Sequence, residues 1–214
     1  MVMNRFSADV CYGELRRCPF LEVFLSKPQL VLVYGEAASG KTNLCLALLK
    51  LFSRCLGPAV YISTEGSAYA DRVTELGIEE GHAYFAEAIS AEHLLDLLTL
   101  ILVEGPVPML LVVDSVNRFY RMGAGTFENL RLFLSTLALL RKISEEYDAC
   151  VVVTAQVREG AEDIEPSGFK YLLQWVDGVA RLSTVSASVK ELVVERPGKA
   201  RKRFIITRSG LIWT

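Results

Sequence analysis

The sequence lacks a long uninterrupted apolar run and a strong net charge. Its longest apolar stretch, residues 94–114, is broken by Glu104-Gly105-Pro106 and again by Pro108, so it is poorly suited to spanning a membrane. The amino terminus has no apolar core of the signal-peptide type, and we therefore expect a cytoplasmic protein. The formal net charge is -2, so any contact with nucleic acid must come from a local basic patch.

Metal-binding patterns of cysteine and histidine are also missing from the sequence. The five cysteines contain no CxxC pair, and His82 and His93 have no ligand spacing, which argues against a zinc site. An odd number of cysteines in a cytoplasmic protein predicts buried free thiols. Only four Asn and three Gln are present, a weak sign of a thermophile, and intracellular disulfides occur in hyperthermophiles. A pair between Cys11 and Cys18 therefore stays open as an alternative.

The composition, 51% hydrophobic and 22% charged over 214 residues, indicates one globular domain with a large core. Residues 1–28 are predicted to be a lead-in segment, with a helix and loop over 12–25, and residues 29–214 the core domain. The predicted helices cover 42–56, 70–76, 91–103 and 127–147, with Ser90 and Thr126 as N-caps. The predicted strands cover 29–34, 59–63, 83–86, 109–113, 149–155, 179–183, 190–195 and 204–207.

The order of these elements predicts an α/β fold. Strands alternate with helices through most of the chain, and the last three strands resemble antiparallel strands joined by turns. We therefore predict a mostly parallel, twisted central sheet with helices on both faces and antiparallel C-terminal edge strands.

Residues 35–42, Gly-Glu-Ala-Ala-Ser-Gly-Lys-Thr, match the phosphate-binding pattern GxxxxGK[ST] between a predicted strand and a predicted helix. Gly35 and Gly40 let the backbone curl so that successive N–H groups point at an anion, and the helix adds its N-terminal dipole. Lys41 is expected to bind the outer phosphates, and the Thr42 hydroxyl to ligate Mg²⁺. The sequence thus predicts an ATP and Mg²⁺ site formed by Gly35, Glu36, Ala37, Ala38, Ser39, Gly40, Lys41, Thr42 and Asn43.

Three polar residues, Glu65, Asp114 and Gln156, follow predicted strands. Because the carboxyl ends of parallel strands meet at one crevice, we expect all three near the phosphates. Asp114 is predicted to hold Mg²⁺ with Thr42, and Glu65 to orient or deprotonate the attacking water. Gln156 can donate to a phosphate oxygen and sense its loss. The catalytic candidates are therefore Glu65, Gln156 and Lys41.

The order of these four elements resembles the ATPase core of the RecA/RadA recombinases. The sequence Tyr-Ile-Ser-Thr-Glu-Gly at 61–66 is similar to the family's Y-I-D-T-E-G, residues 114–121 to D-S-[IV]…[FY]-R, and residues 151–157 to V-V-V-T-N-Q-V. The similarity covers nearly the whole chain from about residue 29. It implies a RecA-like P-loop ATPase in which Glu65 is the catalytic base and Gln156 the γ-phosphate sensor.

The same resemblance assigns further residues. Arg72, in Asp71-Arg72, would lie against the adenine. Residues 118–125 and 158–168 would match the two DNA-binding loops of the family. These roles are implied by the family and not by the residues alone.

The sequence departs from the RadA pattern at several places, and these departures limit which kind of family member it resembles. The separate N-terminal helical domain of RadA is expected to be missing from a chain of this length, and residues 18–24 stand where RadA has L-D-x-L-L-G-G-G. The RadA linker motif F-x-x-A is matched in letters by residues 85–88, which we predict to lie in a strand. The sequence therefore resembles a short archaeal RadA paralogue, of the RadB or RadC type, with an accessory or regulatory role in recombinational repair.

Basic residues suggest where DNA would bind. Aromatic residues lie beside arginines in the first loop, a combination that suits single strands. The basic run at 199–203 indicates either phosphate contact or a solvated hairpin face. The second loop is acidic and would repel a phosphate backbone. The candidate DNA contacts are Arg118, Arg121, Arg131, Arg158, Lys199, Arg201, Lys202 and Arg203.

Three functions stay open on the sequence. The first is an ATP-binding recombinase paralogue with weak or DNA-dependent hydrolysis and modest affinity for single-stranded DNA. The second is a regulatory protein whose ATP site controls binding to a RadA-type recombinase or another repair protein without DNA contact. The third, a signalling ATPase of the KaiC type, is made less attractive by the motif matches at 61–66 and 154–157. A homo-oligomer stays open because a neighbouring protomer often completes RecA-like sites.

Overall fold

The computed structural model describes residues 18–24, 29–79, 81–123, 126–157 and 165–214. The helices are α1 (Pro19–Phe24), α2 (Lys41–Cys55), α3 (Ala70–Leu76), α4 (Ala91–Val103), α5 (Arg118–Met122), α6 (Phe127–Glu146) and α7 (Phe169–Trp175). The strands are β1 (Leu30–Gly35), β2 (Ala59–Ser63), β3 (Ala83–Glu87), β4 (Leu110–Asp114), β5 (Cys150–Gln156), β6 (Gly178–Thr184), β7 (Val189–Arg196), β8 (Ala200–Thr207) and β9 (Gly210–Trp213).

The described strands form a nine-stranded sheet in the order β3-β2-β4-β5-β1-β6-β7-β8-β9. The first six strands in this order, from β3 at the edge to β6, are parallel to one another. Strands β7, β8 and β9 continue the sheet in antiparallel pairs. The predicted α/β fold is therefore confirmed. The strand before the phosphate loop, β1, lies between two strands from late in the chain, with Leu30 opposite Val151 and Val31 opposite Gly178.

Most predicted elements are confirmed to within two residues at each end, and a few are corrected. Strand β6 is parallel to its neighbour β1 and antiparallel only to β7, and β8 begins at Ala200, four residues before the predicted start. Residues 118–122, predicted as loop, form α5. Helix α7 and strand β9, of seven and four residues, were not predicted because such short elements show no clear period. Helix α3 is equally short, but Gly77 marks its end in the sequence, whereas α7 is followed by Val176. Helix α1 covers the end of the predicted lead-in helix, whose residues before 18 lie outside the described residues.

Two hydrophobic cores lie on opposite faces of the sheet. Leu30 and Leu32 point to the core formed with α4, α6 and α7, whereas Val31 and Val33 point to the core formed with α1 and α2. Burial on both faces explains why the central strands are continuous apolar runs. Helix α1 belongs to the second core, since Phe20 and Phe24 are fully buried with ring centroids 4.8 Å apart.

The described cysteines include both free thiols and a disulfide-bonded residue. Cys18, Cys45 and Cys150 are free thiols, whereas Cys55 is disulfide-bonded, so the expectation of free thiols is wrong for Cys55. Because Cys18 is free, the alternative of a Cys11–Cys18 pair is also wrong; Cys11 itself lies outside the described residues.

Within the described residues, no helix combines the length and the apolar character needed to cross a membrane.

Candidate nucleotide site

The phosphate loop joins the end of β1 to the start of α2 at Lys41. Gly40 has a φ of 100°, a left-handed conformation that favours glycine and lets α2 begin directly after it. Gly35 is different, because its φ lies outside that region and a Cβ atom there would be 2.2 Å from the carbonyl oxygen of Leu182 on β6. The interpretation of Gly35 as a residue that curls the loop is therefore corrected. Glycine is needed there for the close approach of β6.

Lys41 is buried inside the loop that it belongs to. Its Nζ donates to the carbonyl oxygens of Gly35 (2.9 Å) and Glu36 (2.7 Å), and lies 3.4 Å from Ser39 Oγ. Burial lowers the pKa of Lys41, while the nearby carboxylates of Asp114 and Glu65 act in the opposite direction. The ammonium group is therefore held by neutral carbonyl oxygens, which do not cancel its charge. The charge and the nearby backbone N–H groups of the loop together suit the binding of an anion.

Asp114, at the end of β4, is the acceptor at the centre of a hydroxyl cluster. Its Oδ2 accepts hydrogen bonds from Thr42 Oγ1 (2.6 Å) and Tyr61 OH (2.7 Å), and its Oδ1 from Thr154 Oγ1. Burial and the neighbouring carboxylate raise the pKa of Tyr61, so its hydroxyl stays protonated and donates. The cluster fixes the Asp114 carboxylate beside Thr42, as the sequence predicts for a magnesium site.

Glu65 and Gln156 follow β2 and end β5 respectively. Glu65 is exposed, and its Oε1 accepts a hydrogen bond from Ser115 Oγ at 3.1 Å. The backbone of Gln156 is fixed by Asn117, whose Oδ1 accepts from Gln156 N and whose Nδ2 donates to Gln156 O, both at 3.2 Å. The side-chain oxygen of Gln156 accepts from Arg121 at 3.1 Å.

Nine of the predicted residues share one cleft of about 310 Å³ at the carboxyl ends of β1, β2, β4 and β5, whereas Gly35, Glu36, Ser39 and Arg72 do not line it. Such convergence at the ends of parallel strands is the usual place for a ligand in an α/β sheet. The cleft is lined by Ala37, Ala38, Gly40, Lys41, Thr42, Asn43, Glu65, Asp114 and Gln156.

Arg72 connects the phosphate-loop helix to the C-terminal strands. Its Nε donates to Asn43 Oδ1 at 2.8 Å, and its guanidinium also bonds Glu75 and the carbonyl oxygens of Thr207 and Arg208. Arg72 thus contacts Asn43, which lines the cleft, on the side that faces the turn between β8 and β9. Arg72 therefore joins α2 and α3 to the turn between β8 and β9.

Four further polar residues of the site were not predicted from the sequence: Tyr61, Asn117, Thr154 and Lys190. The first three are polar side chains within or directly after buried apolar strands, where an unpaired polar group is costly. A polar residue in such a position indicates that a hydrogen-bond partner lies nearby, and this could have identified the three residues from the sequence. Lys190 could not be identified in this way, because it lies on a half-buried strand, β7, and its partner Ala38 is 152 residues away in the sequence.

Lys190 supports the phosphate loop from β7. Its Nζ donates to the carbonyl oxygen of Ala38 at 3.0 Å and to Thr184 Oγ1 at 2.9 Å, and the residue is 9% exposed. Among the described residues no carboxylate forms an ion pair with it. Lys190 is therefore a buried cation through which the antiparallel strand β7 holds the phosphate loop.

Replacing Lys190 with methionine is expected to lower the free energy of unfolding by about 1–3 kcal/mol, because the Ala38 carbonyl loses a charged donor. Urea denaturation measures the change. Lys142→Met is the matched control, since Lys142 forms an exposed ion pair with Glu146 and should change stability by less than about 0.5 kcal/mol. Equal losses in the two variants would show that the Ala38 contact contributes nothing.

The basic candidates for DNA binding lie on separate elements. Arg118 lines a second cleft of about 510 Å³ beside Glu65, and Arg131 on α6 pairs with Glu128 at 2.6 Å. On β8 the basic run is split by strand alternation, with Arg201 and Arg203 exposed and Lys202 half-buried. Arg203 pairs with Glu191 at 3.0 Å, and Lys199 is exposed before the strand. Arg158 and most of the second predicted loop lie outside the described residues.

Comparison with known proteins agrees with this geometry. The sequence model of the Rad51 family matches residues 24–171. The DNA repair and recombination protein RadB of Methanococcus maripaludis strain C7 is 26% identical over 207 residues, which cover 87% of this chain and 93% of that protein. The protein of the same name from Methanosphaera stadtmanae is 29% identical over 198 residues, covering 84% and 85%. That from Halobacterium salinarum strain R1 is 28% identical over 205 residues, covering 84% of each chain.

Proposed function

Because this chain belongs to the Rad51 family, we propose that it is an ATP-binding, slowly hydrolysing RecA-like protein that acts in, or regulates, homologous recombination and DNA repair. Members of this family are ATPases that bind nucleotide with Mg²⁺ and bind DNA. The observation that carries the proposal is the convergence of Lys41, Thr42, Glu65, Asp114 and Gln156 on one cleft at four strand ends. We assign the ATPase core to residues 29–214.

The phosphate loop would hold the phosphates through its backbone N–H groups and Lys41. Thr42 and Asp114 would hold Mg²⁺, because a hydroxyl and a carboxylate are the hard oxygen ligands that this ion prefers. Their oxygens lie 2.6 Å apart beside the loop. When bound, Mg²⁺ would neutralise charge on the phosphate oxygens. Arg72, whose Nε bonds Asn43 Oδ1, is the residue that we propose to lie against the adenine base.

Glu65 is the proposed general base. Its carboxylate is exposed to the cleft and held by one hydrogen bond from Ser115 Oγ at 3.1 Å. Gln156 is the proposed γ-phosphate sensor, with its backbone fixed by Asn117. A base that is exposed and held by a single neutral donor is only weakly preorganised, which supports slow hydrolysis.

We propose modest binding of single-stranded DNA through α5. Arg118 and Phe119 line the cleft beside Glu65, so a cation and an aromatic ring lie close together. Three acidic residues, Glu65, Glu87 and Glu92, line the same cleft and oppose phosphate. The balance predicts weak, strongly salt-dependent binding.

A second function is favoured by the ion pairs of the basic candidates. Arg131 and Arg203 are each neutralised by a glutamate, and the β8 run is divided between two faces. A RecA-like protein that controls a RadA-type recombinase, or another repair protein, without touching DNA would need no continuous basic face. Assembly with further copies of this chain remains part of either proposal, whereas the match to the Rad51 family favours both over a KaiC-type role.

Lys41→Ala is expected to weaken binding of ATP and ADP by at least about 100-fold, because the charged donor to the phosphates is lost. Titration with fluorescent mant-ATP and mant-ADP measures this, and thermal unfolding without nucleotide checks that the variant is folded. Lys142→Ala is the control, since Lys142 lies on α6 in an exposed ion pair. Unchanged affinity in a folded Lys41→Ala variant would mean that the nucleotide binds elsewhere.

The DNA part of the proposal is tested separately by fluorescence anisotropy with a labelled single-stranded oligonucleotide. The titration is carried out at low and physiological salt, with and without ATP and Mg²⁺. Binding that weakens steeply with salt supports the first function. Absence of binding at low salt removes it and leaves the regulatory protein.

A further inference from the structure

Arg121 is a half-buried cation whose guanidinium has no acidic partner among the described residues. One of its terminal nitrogens donates to Gln156 Oε1 at 3.1 Å, and its Nε is buried with no hydrogen-bond partner in the part of the chain that the structure describes. A buried guanidinium N–H without an acceptor is costly, so this donor would gain from a ligand that brings an acceptor. Gln156, the residue that it contacts, lines the nucleotide cleft.

The backbone holds Arg121 in this place. Arg121 N donates to the carbonyl oxygen of Asn117 at 3.0 Å, one helical turn earlier. The side chain of the same Asn117 bonds both backbone groups of Gln156 at 3.2 Å. The start of α5 and the end of β5 are therefore joined, and Arg121 is fixed relative to the cleft by two routes.

The contact also fixes the orientation of the Gln156 amide. Its oxygen is taken by Arg121, so the NH₂ group is the part left to donate to a ligand. A donating amide and a guanidinium with an unused N–H thus lie side by side. The usual partner for such a pair of donors is a phosphate.

Gln156 connects Arg121 to the phosphate loop. Gln156 and Lys41 line the same cleft, and Arg121 donates a hydrogen bond to the side-chain oxygen of Gln156. An anion bound between Lys41 and the Gln156 amide would therefore lie next to the Arg121 guanidinium. In the proposed nucleotide complex, the group that would occupy this position is the terminal phosphate of ATP.

We propose that Arg121 is the residue that distinguishes ATP from ADP: its guanidinium donates to the terminal phosphate and holds Gln156 in the donating orientation. The inference rests on the proposed nucleotide site, and it places Arg121 in that site and not in a DNA contact. Because Arg121 belongs to the α5 segment, the presence of the terminal phosphate would be transmitted to α5 and, through Asn117, to the end of β5.

The test compares dissociation constants of mant-ATP and mant-ADP in the presence of Mg²⁺ for the full chain. Arg121→Ala is expected to weaken ATP binding by at least about tenfold, the loss of one charged hydrogen bond, and to change ADP binding by less than about twofold. Arg121→Lys keeps the charge but not the forked donors, so its ATP affinity should lie between those of Arg121→Ala and the wild type. Lys142→Ala is the control, because Lys142 lies on α6 in an exposed ion pair with Glu146, away from the nucleotide cleft.

The outcomes separate the two proposals. If the wild-type chain binds neither nucleotide, the proposed function and this inference both fail. If it binds ADP, and the ATP-to-ADP affinity ratio of Arg121→Ala and Arg121→Lys equals that of the wild type, only the inference is overturned. Equal losses of ATP and ADP affinity in Arg121→Ala would also overturn it, since they would indicate a general structural effect. A reduced affinity for single-stranded DNA with an unchanged nucleotide ratio would return Arg121 to a DNA role.

Discussion

Glu65→Gln should slow ATP hydrolysis by about 10²–10⁴-fold, the usual contribution of a general base, while ATP affinity changes little. The amide keeps the size of the carboxylate and can still accept the hydrogen bond from Ser115 Oγ. It cannot take a proton from the attacking water. Release of phosphate in single-turnover experiments measures the chemical step, and mant-ATP titration measures binding.

Glu146→Gln is the matched control for this experiment. Glu146 is an exposed glutamate at the end of α6 that pairs with Lys142, remote from the cleft. Its replacement should leave both turnover and ATP binding unchanged. Turnover of Glu65→Gln equal to that of the wild type would remove Glu65 from its proposed role, while the binding site defined by Lys41 would be unaffected.

Gly35→Ala is expected to lower the free energy of unfolding by about 3 kcal/mol or more, at the upper end of overpacking effects. The added methyl group would lie 2.2 Å from the Leu182 carbonyl oxygen and 2.9 Å from Ser39 Oγ. Leu182 is opposite Gly35 in the parallel pair of β1 and β6, so relief requires the two central strands to separate. For a domain of this size the loss corresponds to a fall of at least about 6 °C in Tm.

Gly77→Ala distinguishes this steric effect from a loss of backbone freedom. Gly77 ends α3 with a φ of 61° and has nothing within 4 Å of the added methyl group. Its replacement should cost about 1 kcal/mol through backbone strain alone. If Gly35→Ala costs no more than Gly77→Ala in urea denaturation, the close approach of β6 is not what requires glycine at position 35.

The sequence contains most of the information for the elements and for the central residues of the site. The strands before the phosphate loop and before Glu65, Asp114 and Gln156 are largely apolar runs; the first leads into the glycine of the phosphate loop, and polar residues follow or end the other three. Since parallel strands align their carboxyl ends, the meeting of these residues follows without knowing the strand order. The helices capped by Ser90 and Thr126 begin where expected because both side chains accept the predicted backbone bond.

The parts that could not be predicted depend on long-range pairing. The pattern of β6 is that of any half-buried strand, and nothing local says that its neighbour is β1. The contact of Lys190 with Ala38 exists only because β7 lies beside β6 and β6 beside β1. The basic run at 199–203 looks continuous in sequence, whereas strand alternation distributes it over two faces.

The position of β1 in the sheet has a consequence for how the protein is made. β1 is an early strand, yet both of its neighbours come from residues 150–184. During synthesis the phosphate loop therefore leaves the ribosome long before the strands that hold it, and the closure of these distant pairs is entropically costly and slow. The nucleotide site becomes complete only when most of the chain has been translated, so a nascent fragment exposes β1 as an unpaired apolar strand and cannot yet use ATP to stabilise itself.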